Sequence, residues 1–342
     1  MLTQKKLSIL VTGGAGYVGS HTAVLLAEAG YDVIILDNLA CGQREIVERV
    51  LKTTFFVGDI RDRALLDRIF SSHKIEAVIH LAACTDADES FENPAKYYQN
   101  NVVGTLTLLD AMIAAAVKKV VFSSTCATYG IPISVPILEG HPQTPISPYG
   151  AGKLMVERIL SDFETAYGLK SIVFRYFNVA GAHPTGLLGE AHQPETHLIP
   201  LALQTALGLR DSVSILGTNY STWDGTCIRD YIHVSDLAQA HVLALEYAIA
   251  GGASEVFNLS NGEGFSVREV IDIAQQVTGK PIPTVEQGRR PGDLPVLVGQ
   301  NNRVKEKLGW QPQYSDLHDM IAHAWHWYRR QHLLGAIAQN AA

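Results

Sequence analysis

A tyrosine four residues ahead of a lysine, in Tyr149-Gly150-Ala151-Gly152-Lys153, puts a phenol and an ammonium on neighbouring positions of one helix face. A cation beside a phenol stabilises phenolate, so the pair predicts a Tyr149 pKa below the ordinary ~10 and nearer working pH. Such a group takes a proton from an alcohol while a cofactor takes the hydride. The hydroxyl run Ser123-Ser124-Thr125 lies upstream and is read together with the pair. Alone, a Tyr-x-x-x-Lys pair is surface decoration on most helices. It acquires a chemical meaning only beside a nucleotide site.

That site stands at the N-terminal end. Leu7-Ser8-Ile9-Leu10-Val11 reads as a short strand running into Thr12-Gly13-Gly14-Ala15-Gly16-Tyr17-Val18-Gly19. Gly13, Gly16 and Gly19 form a G-x-x-G-x-x-G frame, and Gly14, Gly16 and Gly19 also satisfy G-x-G-x-x-G. Glycine lets the backbone turn tightly and approach a pyrophosphate, which sits on the N–H groups of the following helix, predicted here from Ser20 to Ala29. A second strand, Tyr31 to Leu36, ends in Asp37, at about the 20-residue offset of the fingerprint. A carboxylate there accepts hydrogen bonds from ribose hydroxyls and repels a 2′-phosphate, which points to NAD over NADP.

The elements that must position these residues alternate. Strands are predicted at Thr54–Gly58, Ala77–Leu81, Val120–Ser123 and Ser171–Arg175, and helices at Arg61–Ser72, Tyr97–Ala116 and Tyr149–Tyr167. Alternation of apolar strands with helices argues an α/β, Rossmann-type doubly wound parallel sheet covered on both faces. Ligands of such sheets bind at the C-terminal strand ends, where Asp59, Leu81, Ala82, Ala83 and the hydroxyl run all fall. The glycine loop and the hydroxyl run should therefore share one crevice. Past Asn178 the texture changes to a Gly/Pro/His-rich stretch, then shorter elements. The reading is a first domain over 1–178, a smaller C-terminal α/β substrate domain over 179–330, and a loose tail over 331–342. Strands from about 229–259 are expected to return to the first domain.

The chain of 342 residues carries a net charge of −7 with no basic tract, a poor match to nucleic acid or an anionic membrane surface. No apolar run approaches spanning length and no signal-peptide h-region precedes the first strand, so a cytoplasmic protein is expected. Cys41, Cys84, Cys126 and Cys227 are widely separated, without C-x-x-C, and suggest neither a disulfide framework nor a zinc site. Among 13 histidines no pair shows H-x-x-x-H spacing beside a carboxylate on a helix, so no metal is expected.

With these residues in hand, the chain resembles the extended short-chain dehydrogenase/reductase family, and within it the 4-epimerases of UDP-sugars, over almost all of residues 7 to 330. The likeness is carried by the glycine loop, Ser124-Thr125-Cys126-Ala127-Thr128-Tyr129-Gly130, Arg175-Tyr176-Phe177-Asn178, Gly225 to Val234 and Arg289-Arg290-Pro291-Gly292-Asp293. It implies interconversion of UDP-glucose and UDP-galactose at sugar C4 through a 4-keto sugar, on tightly held NAD. Tyr149 would be the base and Lys153 its partner. Thr125, in the place of the family's catalytic serine, would bridge the C4 oxygen and Tyr149, with Ser124 beside it. The resemblance carries Gly13, Gly16, Tyr17, Val18, Gly19, Asp37, Asn38, Asp59, Ile60, Leu81, Ala82, Ala83, Asn100, Ser123 and Phe177, with Tyr149 and Lys153, to NAD. It carries Asn178, His197, Leu198, Ser214, Leu216, Arg229, Arg290 and Asp293, with Thr125 and Tyr149, to the nucleotide-sugar. The two arginines would grip the diphosphate as bidentate forks. Thr85 stands where many relatives have lysine, and His197 where asparagine is common. Leu297 lies where side-chain bulk gates N-acetylated sugars.

Related 4,6-dehydratases carry an Asp-Glu pair right after the equivalent hydroxyl; here those places are Cys126 and Ala127. Alternative substrates are UDP-pentoses (xylose and arabinose) and UDP-N-acetylhexosamines, which the same catalytic residues would serve. A non-catalytic NAD-binding sensor is the alternative of another class, and an intact Tyr149, Lys153 and Thr125 argues against it. The predicted helices Tyr97–Ala116 and Tyr149–Tyr167 have apolar faces wider than one sheet contact needs, and the resemblance implies that they pair across a two-fold axis in a homodimer.

Overall fold

The structure, a computed structural model, describes residues 6–290 and 292–340. Short runs of aliphatic residues become parallel strands when helices cover both of their faces. The first half of the chain does this in order: β1 (Ser8–Thr12), α1 (Tyr17–Glu28), β2 (Asp32–Asp37), β3 (Thr54–Val57), α2 (Arg63–Ser72), β4 (Ile75–His80), α3 (Ala87–Glu92), α4 (Pro94–Tyr97), α5 (Gly104–Ala114), β5 (Lys119–Thr125), α6 (Pro148–Tyr167) and β6 (Lys170–Tyr176). The second half supplies β7 (Asn178–Ala180), α7 (Leu198–Ala206), β8 (Val213–Leu216), β9 (Ile228–His233), α8 (Val234–Ile249), β10 (Glu255–Leu259), β11 (Gly264–Ser266), α9 (Val267–Thr278), β12 (Thr284–Gln287), β13 (Val296–Leu297), α10 (Asn302–Leu308) and α11 (Leu317–Asn340).

The main sheet runs β10-β6-β5-β4-β1-β2-β3, all parallel. Its order reverses between β1 and β4, which opens a crevice at the C-terminal strand ends. Alternate residues of each strand feed two separate cores. Ile9, Val11, Val33, Ile35 and Ile79 pack with α1 and α8, while Leu10, Ile34, Leu36, Val78 and Phe122 pack with α2, α5 and α6. Of the strands between 229 and 259, β10 joins this sheet through β6, whereas β9 lies in a second sheet with β7, β11 and β13. A third apolar cluster, with Leu203, Ile215, Ile271, Met320 and Trp327, forms the core of the C-terminal half.

Two segments differ from the sequence reading. The expected continuous helix Tyr97–Ala116 is interrupted by a π-helical stretch, Tyr98–Val103, between α4 and α5. Helical periodicity does not reveal one inserted residue, and tertiary bonds hold it: the Asn101 amide donates to the Cys84 carbonyl and accepts from the Cys84 N–H, each at 2.8 Å. The expected loose tail is helical from 331 through 340 as the end of α11, and residues 341–342 lie outside the described residues. Among the described residues no helix is long and apolar enough to cross a membrane.

Candidate active site

The glycine loop leaves β1 and turns into α1. Gly13 has φ of +74°, and a Cβ there would lie 2.7 Å from the Ala82 backbone nitrogen. At Gly19 a Cβ would fall 2.0 Å from the Gly13 carbonyl oxygen, whereas at Gly16 it would meet nothing closer than 3.4 Å. The loop is thus packed on its inner side and open at Gly16, where α1 begins without a side-chain cap. Uncapped N–H groups at a helix start suit a pyrophosphate. Asp37, at the end of β2, is buried and accepts from Ala15 N–H at 3.0 Å and Leu39 N–H at 2.8 Å. Burial raises its carboxyl above the ordinary value, and the two N–H bonds oppose that rise. Asn38 donates to Asp59 at 3.2 Å, and the Arg61 fork holds Asp59 down to about 2. Ile60 is buried, Leu81 and Ala82 flank Gly13 with Ala83 next in the chain, and Asn100 lies in the π-helical stretch. Tyr17 ties the loop to the substrate-side half by donating to the Gly181 carbonyl at 2.6 Å. These residues fit a dinucleotide.

Across the crevice, α6 starts against the end of β5. Ser147 caps it by accepting from Gly150 N–H at 3.1 Å, Pro148 follows, and a Cβ at Gly150 would lie 2.6 Å from the Ala127 carbonyl oxygen. That close approach brings Tyr149 to Thr125. Burial pushes the Tyr149 phenol well above its ordinary value; the nearby Tyr176 adds to the rise, and the neighbouring Thr125 hydroxyl offsets only part of it. The sequence expectation of a lowered Tyr149 pKa is therefore reversed: whatever pull Lys153 exerts, burial outweighs it. Lys153 is buried too, donates to the Ser123 carbonyl at 2.6 Å, lies over the Phe122 ring, and is pulled by burial to about 7.

Alternation along β5 separates the three hydroxyls. Ser123 and Thr125 face the Tyr149 side, and the Ser123 hydroxyl pairs with the Tyr176 phenol. Ser124 points to the other face and donates to Glu157 at 2.5 Å, so it is not brought to Tyr149. There it joins a buried pair in which Arg175 grips Glu157 at 2.6 Å and donates to the Tyr129 hydroxyl at 3.0 Å. Tyr176 belongs to the motif Arg175-Tyr176-Phe177-Asn178 but is not assigned to the site by the sequence, although its place two residues before Asn178, at the end of a strand, is a usable signal.

On the substrate side, Arg229 on β9 and Arg290 both converge on Asp293, at 3.1 and 2.8 Å, and Arg290 also reaches Asp88 on α3 at 2.9 Å. Arg229 does not pair with its neighbour Asp230, whose buried carboxylate instead accepts the N–H groups of Asn261, Gly262 and Gly299. Asn178 opens β7, and Phe177 packs with Tyr129, Ile137 and Leu297. Ser214 and Leu216 share the face of β8 turned away from buried Val213 and Ile215. Leu198 opens α7. His197, at the N-cap of α7, is engaged by the carboxylates of Glu190 and Glu195 at 2.5 and 3.8 Å, together with His192. Arg289, part of the sequence motif but not assigned to the site, donates to Asn219 at 2.7 Å and stacks 4.1 Å from the Tyr220 ring centre.

Residues 9–260 match the NAD dependent epimerase/dehydratase family. A UDP-glucose 4-epimerase of Halalkalibacterium halodurans is 52% identical over 98% of this chain and 99% of its own. A solved UDP-glucose 4-epimerase from Brucella ovis in complex with NAD superposes with a TM-score of 0.90 at 48% identity, over 94% of this chain and 98% of that one. Another, from Bifidobacterium longum in complex with NAD+ and UDP, gives a TM-score of 0.91 at 39% identity, over 94% and 98% of the two chains.

Proposed function

This chain belongs to the NAD dependent epimerase/dehydratase family, and on that premise we propose that it interconverts UDP-glucose and UDP-galactose by inverting sugar C4. The observation that carries the reading is the junction of Thr125 and Tyr149 at the end of β5, followed by Cys126 and Ala127 where a dehydratase needs acids. Burial pushes the Cys126 thiol up to about 12, so it offers no ready proton for eliminating water from the sugar.

NAD is the cofactor; held by the glycine loop and Asp37, it would supply reversible hydride acceptance at sugar C4. Tyr149 removes the proton from the C4 hydroxyl and returns it to the C4 oxygen of the inverted sugar. Thr125 orients that oxygen through its hydroxyl, which lies on the Tyr149 side of the strand end. Lys153, anchored to the Ser123 carbonyl, places its amino group beneath the strand end. Arg229 and Arg290 face the diphosphate and Asp293 sets their forks. The sugar turns between the two proton transfers while the diphosphate stays gripped.

A homodimer goes with this reading, supported by exposed apolar side chains at Val103, Leu106 and Met155 beside and on α5 and α6. So does a cytoplasmic setting, with all four cysteines present as thiols. The test incubates purified protein separately with UDP-galactose, UDP-N-acetylgalactosamine and UDP-xylose, without added cofactor. Conversion of UDP-galactose to UDP-glucose fastest of the three is expected. No conversion of any, with NAD present in the protein, would return the chain to the sensor class.

A further inference from the structure

The sequence repeats Glu-x-His twice, as Glu190-Ala191-His192 and Glu195-Thr196-His197, in the segment that connects the glycine-loop side of the crevice to α7. Folding gathers all four side chains: one ligand-type atom from each lies within 4.8 Å of the others. Glu190 is the buried centre, with the Nδ1 atoms of His192 and His197 at 3.1 and 2.5 Å from the same oxygen, and Glu195 closes the set at 3.8 Å from His197. Ligand atoms around a tetrahedral zinc, each about 2.0–2.2 Å from the metal, stand roughly 3.3 Å apart. The observed spacings straddle that value.

We propose that Glu190, His192, Glu195 and His197 form a structural site for a divalent ion of the zinc class. Two imidazoles and two carboxylates are the donor set of zinc and its first-row neighbours rather than of magnesium or calcium, which take oxygen ligands. Four protein donors fill a tetrahedron and leave no open position, which marks a structural rather than a catalytic site. Two carboxylates and two neutral imidazoles make the occupied site electrically neutral, a favourable state for a carboxylate as buried as Glu190. The rings are set to converge: their centroids are 5.5 Å apart and inclined at 70°. Supporting groups surround them, with the Tyr17 ring edge-on to His192 at 6.5 Å and the Tyr328 hydroxyl donating to Glu195 at 3.4 Å. His197 is exposed and gives an ion its way in. An ion here would pin the start of α7, hence Leu198, against the segment that packs on Tyr17. Binding it displaces the proton shared between His197 and Glu190 to solvent.

The test uses the full chain, stripped with a zinc chelator and then titrated with Co2+ and with Zn2+. Wild type is expected to take up about one Co2+ per chain with the strong visible absorption of four-coordinate cobalt, and to show a higher Tm with Zn2+. His192→Ala and Glu195→Gln, each first shown to have wild-type circular dichroism and metal-free Tm, should bind more weakly by at least the 10- to 100-fold typical of losing even a supporting partner. Weak six-coordinate cobalt absorption in wild type, or a Zn2+-induced Tm rise equal in wild type and both variants, would overturn the proposal and leave the four residues as an internal hydrogen-bonded cluster.

Discussion

Lys153 Nζ donates to the Ser123 backbone carbonyl across 2.6 Å, which holds a buried ammonium directly beneath the end of β5. A backbone carbonyl is no ion-pair partner, so burial disfavours the charged form of Lys153. In the unfolded chain this lysine titrates near 10.5, and in the fold at about 7.

The sign of the resulting pH dependence follows. Between those two values the unfolded chain binds one more proton than the folded one, so stability rises with pH across that window, by up to about 1.4 kcal/mol per pH unit. Below about 7 the full burial penalty applies. Lys153→Met removes the group, and the Tm of the variant minus that of wild type, both nucleotide-free, is expected to fall steadily from pH 7 to pH 10. A difference that stays flat with pH would mean that Lys153 holds its proton throughout.

Tyr149→Phe should lower kcat by about 10²- to 10⁴-fold, the range for a positioned proton-transfer group. Bound NAD and the Kd for UDP should not change. Because burial pushes the phenol up, wild-type kcat should climb toward alkaline pH, and the variant should lose that climb. Stopped-time product assays across pH check both. Near-normal turnover in the variant would remove Tyr149 from the reaction.

The two faces of β5 are expected to separate catalysis from stability. Thr125→Val, which keeps the shape and deletes the hydroxyl, should cost kcat about 10-fold or more, and Thr125→Ser should restore it. Ser124→Ala should leave kcat within about 2-fold but lower stability by about 1–3 kcal/mol, the cost of a hydrogen bond to a buried charge. Urea denaturation and kcat measured on the same samples distinguish the two outcomes.

That contrast also shows what a sequence discloses. The strands were legible because Ile9 to Val11 and Val33 to Leu36 are aliphatic without interruption, which only a sheet buried on both faces requires. Tyr149 and Lys153 were legible because helical spacing places them together. Their pKa values were not, since burial is a property of the assembled crevice. Ser124 could have been assigned to the far face by counting alternate residues from Thr125. Glu190 to His197 follow no helical or strand period, so their convergence depends on turn geometry that composition does not encode. The π-helical stretch at Tyr98–Val103 depends on Asn101 finding Cys84, a tertiary bond with no local signal.

Arg290 is half-exposed and shared between Asp88 and Asp293, whereas Arg229 is nearly enclosed by the Ile228 and Leu294 carbonyls and Asp293. A diphosphate competing with Asp88 and Asp293 for Arg290 gives it a third charged acceptor. Arg290→Ala should therefore weaken UDP binding by about 10- to 100-fold, corresponding to one charge-assisted hydrogen bond of about 1.5–3 kcal/mol, with little loss of Tm. Calorimetric titration with UDP checks this. Equal UDP affinity in the variant would leave Arg290 as a surface tie to α3.

Asp37 is expected to decide between the two pyridine dinucleotides by charge and by space. Its carboxylate is already committed to Ala15 and Leu39 N–H groups, and the chain closes over it so tightly that a Cβ at Gly42 would lie 2.7 Å from Oδ1. A 2′-phosphate there would meet a negative charge with no room to withdraw. Asp37→Ala removes both obstacles at once, and also removes the acceptor for ribose hydroxyls. The ratio of Kd for NADP to Kd for NAD should therefore drop by about 10-fold or more, one such charged contact being about 1.5–3 kcal/mol, while NAD itself binds less tightly. Fluorescence titration of nucleotide-free protein with each dinucleotide measures the ratio. Asp37→Asn distinguishes the two causes: it keeps the volume and one acceptor oxygen but not the charge, so a ratio that falls in Ala and stays high in Asn would assign the discrimination to crowding beside Gly42.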